Sequence, residues 1–192
     1  MSSIQSQKES LRRQLKLSRR EIPESSRAQY NEVIQQRLFS LEAIQTAKSL
    51  FCFISYATEV HTHAIIDELL AQGKQISVPK IIDSGHMIAV KFNHWDELAP
   101  AQLGILTPPT NAPLRCEYDV VITPGLGFTK TGKRLGFGRG YYDKWFQNNE
   151  FSLKVALAYD CQIIDDLPTD ENDQIVDFII SEKRIIETKN QS

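Results

Sequence analysis

The sequence predicts an α/β fold: one compact domain over residues 1–192, with a mostly parallel sheet flanked by helices. Three observations lead there. Segments with apolar residues at helical spacing alternate with short, continuously apolar runs, the pattern of strands covered on both faces. The richest glycine stretch lies directly between such a run and a helical segment, where open α/β sheets carry their ligands. And with 192 residues, 41% hydrophobic and 24% charged, the chain is an ordinary globular composition long enough to bury roughly 70% of its unfolded surface.

The elements follow in order. Residues 3–21 carry Leu11, Leu15 and then Ile22 at helical spacing among strong helix formers. Pro23 stops that run, and a second amphipathic helix is expected over 24–41 through Tyr30, Val33, Ile34, Leu38 and Leu41. Residues 49–55 (SLFCFIS) read as a buried strand, and 62–72 as a helix that Gly73 ends in the left-handed role. Two strands are expected at 75–81 and 86–92 around a turn at Asp83, Ser84 and Gly85. A loop with Pro100, Pro108, Pro109 and Pro113 leads to a buried strand at 119–123 (DVVIT). Residues 124–140 are expected as a glycine-rich loop, 141–149 as a helix, and 153–159 and 175–180 as two further strands.

Composition removes several classes. Lys and Arg number 22 against 24 Asp and Glu, a net charge of −2, and the isoelectric point near 6.1 gives no global field for nucleic acid. No apolar run approaches the roughly 20 residues that span a bilayer. The basic start, MSSIQSQKESLRRQLKLSRR, lacks the apolar core of a secretory signal, and Glu9 and Glu21 suit an organelle presequence poorly. Cys52, Cys116 and Cys161 form no zinc spacing and read as reduced thiols. The expectation is a cytoplasmic monomer without membrane or nucleic-acid partners.

The chemistry concentrates in Pro124 to Asp143, PGLGFTKTGKRLGFGRGYYD. Glycines at 125, 127, 132, 136, 138 and 140 accompany Lys130, Lys133, Arg134 and Arg139. Glycine lets backbone N–H groups approach an anion, and the following helix N-terminus adds its positive end, so a phosphate cradle is expected. The plainer alternative is a mobile surface loop with solvated charges. Gly127 to Lys133 has the G-x-x-x-x-G-K spacing of a Walker A loop, but Arg134 stands where the magnesium-binding Ser or Thr belongs, and glycines continue where the helix should start. Nor does G-F-G-R-G match the dinucleotide fingerprint.

The string R-L-G-F-G-R-G-Y-Y-D (134–143), preceded by P-G-L-G-F (124–128), resembles the signature of the 5-formyltetrahydrofolate cyclo-ligase family. The resemblance runs nearly the full length: Lys8 and Arg12 as K-x-x-x-R, Glu59-Val60-His61-Thr62 as E-V-x-T, Val78-Pro79-Lys80, Gly104-Ile105-Leu106, and Asp173 and Asp177 near the end. It implies an α/β enzyme that uses MgATP to close 5-formyltetrahydrofolate to 5,10-methenyltetrahydrofolate. The formyl oxygen takes the γ-phosphoryl group, the N10 amine attacks the activated carbon, and phosphate leaves. Such chemistry asks for positioned cations and a metal more than for a protein nucleophile.

By the same resemblance, Lys8, Arg12, Arg134, Leu135, Gly136, Phe137, Gly138, Arg139, Gly140, Tyr141 and Tyr142 bind ATP, with Arg134 and Tyr141 catalytic. Ile54, Glu59 and the 137–141 segment bind the reduced folate, Glu59 accepting from the pterin's amino and ring N–H groups. Asp143 and Asp173 bind Mg2+. Each has a plainer reading. Lys8, Arg12, Lys16 and Arg20 can be a solvated basic stripe, which the resemblance overrides for Lys8 and Arg12 only. Asp143 can be a first-turn residue favoured by the helix dipole, and Asp173 a loop carboxylate. One of Tyr141 and Tyr142 is expected in the core, as are Trp95 and Trp145 in packing roles. The four histidines form no ligand spacing.

Three positions depart from the family pattern: Thr129 for the usual Asp, Thr107 for Glu, and Asn172 for His. They bear on loop rigidity and rate tuning. Two alternatives stay open at this point: a nucleotide- or folate-binding protein without turnover, and a different phosphate-ester enzyme on a related scaffold.

Overall fold

The computed structural model of the chain describes residues 3–100, 106–114, 116–169 and 173–188. Gly104, Ile105 and Asn172 lie outside the described residues. Helices α1 (Ser3–Arg20) and α2 (Glu24–Ser40) are separated at Pro23, which is extended at φ −57° and ψ 144°. A short helix α3 (Glu42–Thr46) follows one extended residue, Leu41. The remaining elements are β1 (Ser49–Cys52), α4 (His63–Ala71), β2 (Gln75–Ile81), β3 (Met87–Phe92), β4 (Ala99–Pro100), β5 (Leu106–Thr107), β6 (Tyr118–Thr123), β7 (Gly127–Phe128), β8 (Arg134–Leu135), α5 (Tyr141–Asn148), β9 (Phe151–Leu157), β10 (Phe178–Ile180) and β11 (Ile185–Glu187). Single 3-10 turns occupy Trp95–Glu97 and Asp160–Gln162.

Seven strands form one sheet in the order β11-β10-β9-β6-β1-β2-β3. From β10 to β2 every neighbour pair is parallel, and β3 and β11 close the edges antiparallel. The helices cover both faces. Leu50 and Cys52 of β1 point to the side of α2 and α4, with Ile34, Leu38, Ile65 and Leu69. Phe51 points to the other side, where it meets Trp145 and Phe146 of α5. This alternation is why the strand reads as continuously apolar: each face buries its own residues.

Two predicted elements differ in length. The strand over 49–55 ends at Cys52, because Thr62 intercepts the backbone beyond it. The Thr62 hydroxyl donates to the Phe53 carbonyl at 2.8 Å and accepts the Ser55 N–H at 2.9 Å. The strand over 175–180 begins at Phe178, because Val176 N–H bonds instead to the Gly132 carbonyl at 2.9 Å. The 124–140 segment is not a plain loop either. Its first half is the β7–β8 ribbon, and Leu126, Phe128 and Leu135 are buried in it. Among the described residues no helix is long and apolar enough to cross a membrane. All three cysteines are free thiols, with Cys52 buried and its thiol pKa pushed up by that burial.

Candidate active site

Strand order reverses between β1 and β6. The chain leaves β1 toward β2 on one side, then returns to β6 on the other and continues to β9. The segments leaving the carboxyl ends of β1 and β6 therefore flank a switch-point crevice, where open α/β sheets place ligands.

The wall after β1 is a tight turn. Glu59 N–H donates to the Tyr56 carbonyl at 3.1 Å, and the Glu59 carboxylate accepts the Tyr56 N–H at 2.8 Å. Ala57 between them has φ +52°, an uncommon conformation for a side chain with a Cβ. Burial raises the Glu59 pKa, opposed by the Tyr56 N–H and by the charge of Arg19. Ile54 lies buried just before this turn. Asn31 of α2 accepts the His61 N–H at 3.2 Å and the Tyr159 hydroxyl at 2.9 Å, which fixes the turn's far end.

The wall after β6 is the ribbon and the glycines beyond it. Thr129 is buried and its hydroxyl accepts the Lys133 N–H at 3.2 Å, so it closes the ribbon turn. Gly132 adopts φ +86°, and a Cβ there would lie 2.5 Å from the Val176 carbonyl oxygen. Arg134 on β8 is almost wholly buried. Its terminal nitrogens donate to Asp143 Oδ1 at 2.5 Å and to the Pro124 carbonyl at 3.2 Å. Its Nε is buried without a hydrogen-bond partner among the described residues, and so is the Tyr142 hydroxyl. The guanidinium carbon sits 5.8 Å from the ring centroids of both Tyr142 and Phe146. Burial holds the Tyr142 phenol neutral far above its usual range.

Helix α1 closes the site from outside. Lys8 Nζ meets Asp173 Oδ2 at 2.6 Å with the lysine side chain 7% exposed. Arg12 Nε donates to the Gly136 carbonyl at 3.0 Å. Leu15 packs so closely on the ribbon that a Cβ on Gly127 would lie 2.5 Å from its methyl. Gly138, at φ +103°, lies under Arg12, where a Cβ would come within 3.3 Å of the guanidinium carbon. Gly140 at φ +67° turns the chain into α5.

The predicted residues thus converge, in pairs. Lys8 and Arg134 are each held by a carboxylate expected at magnesium and Arg12 by the glycine backbone, whereas Arg139 points to solvent. Among the described residues no three His, Cys, Asp or Glu side chains cluster as a metal site; Asp143 and Asp173 are each paired with a cation of their own. Phe137, Gly138 and Arg139 are exposed, and Tyr141 is partly buried against the α5 core. Leu135 turns its side chain into a cluster with Leu15 and Leu167. Tyr142 is the tyrosine packed between the two cores. Asp177 accepts the Lys154 N–H at 2.8 Å and ties β9 to the segment before β10. Trp145 is core, and Trp95 stacks on His63 at 4.5 Å while donating to Asp67.

The basic stripe on α1 divides along its length, with Lys16 and Arg20 solvated as expected. Steps of four residues drift about 40° each on a 3.6-residue helix, so Lys16 and Arg20 turn out to solvent. Arg19, eleven residues after Lys8, returns to the same face and is buried. Helical geometry applied to that spacing identifies it; stepping by four alone misses it.

Fold and site together define a class: a parallel-sheet α/β protein with a cation-lined crevice at its switch point, walled by a glycine segment and a carboxylate turn. The chain belongs to the 5-formyltetrahydrofolate cyclo-ligase family, whose sequence profile matches residues 4–182, and it is an enzyme of the ligase class. The 5-formyltetrahydrofolate cyclo-ligase of Mus musculus is 32% identical over 194 residues, covering 94% of this chain and 96% of the mouse protein. That of Haemophilus influenzae is 29% identical, covering 86% of this chain and 92% of its own. The solved 5,10-methenyltetrahydrofolate synthetase of Aquifex aeolicus superposes with a TM-score of 0.84 at 26% identity, covering 96% of this chain and 94% of that one.

Proposed function

We propose that this protein closes 5-formyltetrahydrofolate to 5,10-methenyltetrahydrofolate with consumption of ATP and a requirement for magnesium. The carrying observation is Arg134: a buried guanidinium held by Asp143 and Pro124, whose Nε has no partner among the described residues and lies beside the glycine segment. A buried donor without a partner costs about 1–3 kcal/mol, and a phosphate oxygen would satisfy it.

The residues fit a magnesium triphosphate. Gly136 and Gly138 leave open an approach that a Cβ would crowd, since it would lie 3.2 Å from Arg134 and 3.3 Å from Arg12 respectively. Arg12 reaches the same segment from α1, and Lys8 on that helix holds Asp173. Asp143 and Asp173 are hard oxygen donors of the kind magnesium takes together with phosphate oxygens and water. Bound MgATP supplies the phosphoryl group that turns the formyl oxygen into a leaving group. Arg134 steadies the charge at that transfer, and its fixed hydrogen bonds mean little reorganisation is required. Tyr141 at the end of the glycine segment borders both ligands. Glu59 orients the pterin by accepting from its amino and ring N–H groups, which presents the formyl group to the cations and N10 to the formyl carbon.

The oxygen balance tests this route. Substrate labelled with heavy oxygen in the formyl group should yield labelled inorganic phosphate, one label per ring closed. Unlabelled phosphate alongside methenyl product would exclude transfer to the formyl oxygen.

A further inference from the structure

Arg19 is a buried cation that none of the roles assigned so far uses. It is 6% exposed. Its Nε donates to the Thr58 hydroxyl at 3.0 Å, next to Glu59, and its guanidinium carbon lies 5.9 Å from the ring centroid of Phe137 in the glycine segment. It therefore bridges the two walls of the crevice. Arg27 of α2 donates to the Arg19 carbonyl at 3.3 Å and so anchors the end of α1 that carries it. The described residues offer the two terminal nitrogens of Arg19 no hydrogen bond. Glu59 lies within reach of its charge, yet the two form no ion pair among the described residues. The other ionisable groups that act on Arg19 are Tyr159, Arg27 and Cys161, and none of them supplies an acceptor to those nitrogens.

An anion and a cation held side by side in a buried crevice without joining suit a ligand edge that carries both donors and an acceptor. The pyrimidine half of a reduced pterin has that edge: an amino group, a ring N–H and a ring carbonyl in sequence. A carboxylate takes the two donors and leaves the carbonyl oxygen unsatisfied. A guanidinium is a rigid fork of donors suited to an oxygen beside it.

We propose that Arg19 is a second folate-recognition residue, its terminal nitrogens donating to the pterin ring carbonyl beside the edge that Glu59 takes. This rests on the folate reading of the crevice. Nε holds the fork against Thr58, and the Phe137 ring covers it, so the donors are oriented before the ligand arrives. Burial lowers the Arg19 pKa, and the Glu59 charge opposes that change; the side chain stays protonated throughout the working range.

The test compares wild-type protein with Arg19→Met and Arg19→Lys, using 5-formyltetrahydrofolate and a 5-formyltetrahydropterin that lacks the benzoylglutamate tail. Arg19→Met should weaken both ligands by the same factor, roughly 10- to 100-fold for the loss of a charged hydrogen bond, while the KM for ATP stays within about two-fold. Arg19→Lys should restore part of the loss. A loss confined to the full folate would mean that Arg19 contacts the glutamate carboxylates, and would overturn the assignment. So would an equal rise in the KM for ATP, the mark of a purely structural role, or unchanged folate affinity. If Arg19→Met fails to fold by its melting profile, Arg19→Lys decides alone: it should show an intermediate loss for both ligands, and unchanged affinity overturns the proposal. Wild-type protein that binds neither ligand would bring down the folate reading itself, and this inference with it.

Discussion

Arg134 and Asp143 join at 2.5 Å from opposite ends of the glycine segment, one on β8 and one in the first turn of α5. The pair closes residues 136–140 into a loop that the Arg12–Gly136 contact holds from outside. Arg134→Ala should therefore lower kcat by about 100- to 1000-fold, the range for losing one preorganised donor at developing charge. Affinity for the folate should stay near wild type, since Glu59 is on the other wall. Turnover assays paired with calorimetry separate the two quantities.

The carboxylates should behave as metal ligands rather than as ion-pair partners only. Asp143→Ala is expected to raise the magnesium concentration needed for half-maximal activity. Lys8→Met should instead raise the KM for ATP, because it removes a cation from beside the triphosphate. Magnesium and ATP titrations of the two variants distinguish these effects. A variant that keeps full turnover at ordinary MgATP loses its assigned role.

Gly138→Ala combines two penalties. Its φ of +103° is strained for any residue with a Cβ, and the new methyl would press on Arg12 at 3.3 Å. A melting-point drop equivalent to about 1–2 kcal/mol is expected, together with weaker ATP binding. Gly73→Ala is the control: φ is +75° but nothing lies within 4 Å, so it should lose stability and keep ATP affinity.

Glu59 carries a pH signature. Its folded pKa lies above the ordinary value of 4.5 because burial penalises the charged form. A raised carboxylate costs stability above that pKa, and the cost is relieved as pH falls through it. Folate binding needs the ionised form, so affinity should begin to fall at a pH above the ordinary carboxylate range as the solution is acidified. Glu59→Gln should remove this pH dependence, raise the melting temperature at neutral pH, and weaken folate binding at every pH. Calorimetric affinities across pH, with melts on the same samples, check all three.

How much was legible in the sequence follows from the length of each signal. The strand over Gln75–Ile81 and the left-handed Gly73 at φ +75° came through as expected, because a short run with Ile76 and Val78, bounded by a terminal glycine and the turn at Asp83 to Gly85, is a strong local pattern. The β7–β8 ribbon was not, since two-residue strands carry no periodicity and glycines there suggested a loop. In it, glycine serves close packing: Gly127 under Leu15 and Gly132 against Val176. The string 134–143 disclosed which residues form one wall, and Glu59 the other. What it could not show is that Lys8 pairs with Asp173 across 165 residues of chain, because ion pairing at that separation depends on sheet order, or that Arg134 and Asp143, nine residues apart, meet across the glycine turn. Arg19 escaped for a similar reason: its meaning lies in what α1 packs against.

The most direct measurement follows the near-ultraviolet absorbance of the conjugated methenyl product with purified protein, 5-formyltetrahydrofolate and magnesium, before and after ATP is added. The account predicts no product until ATP arrives, then accumulation matched by ADP. No product after ATP, with calorimetry showing that folate and ATP still bind, would contradict it and leave a binding protein on a cyclo-ligase scaffold.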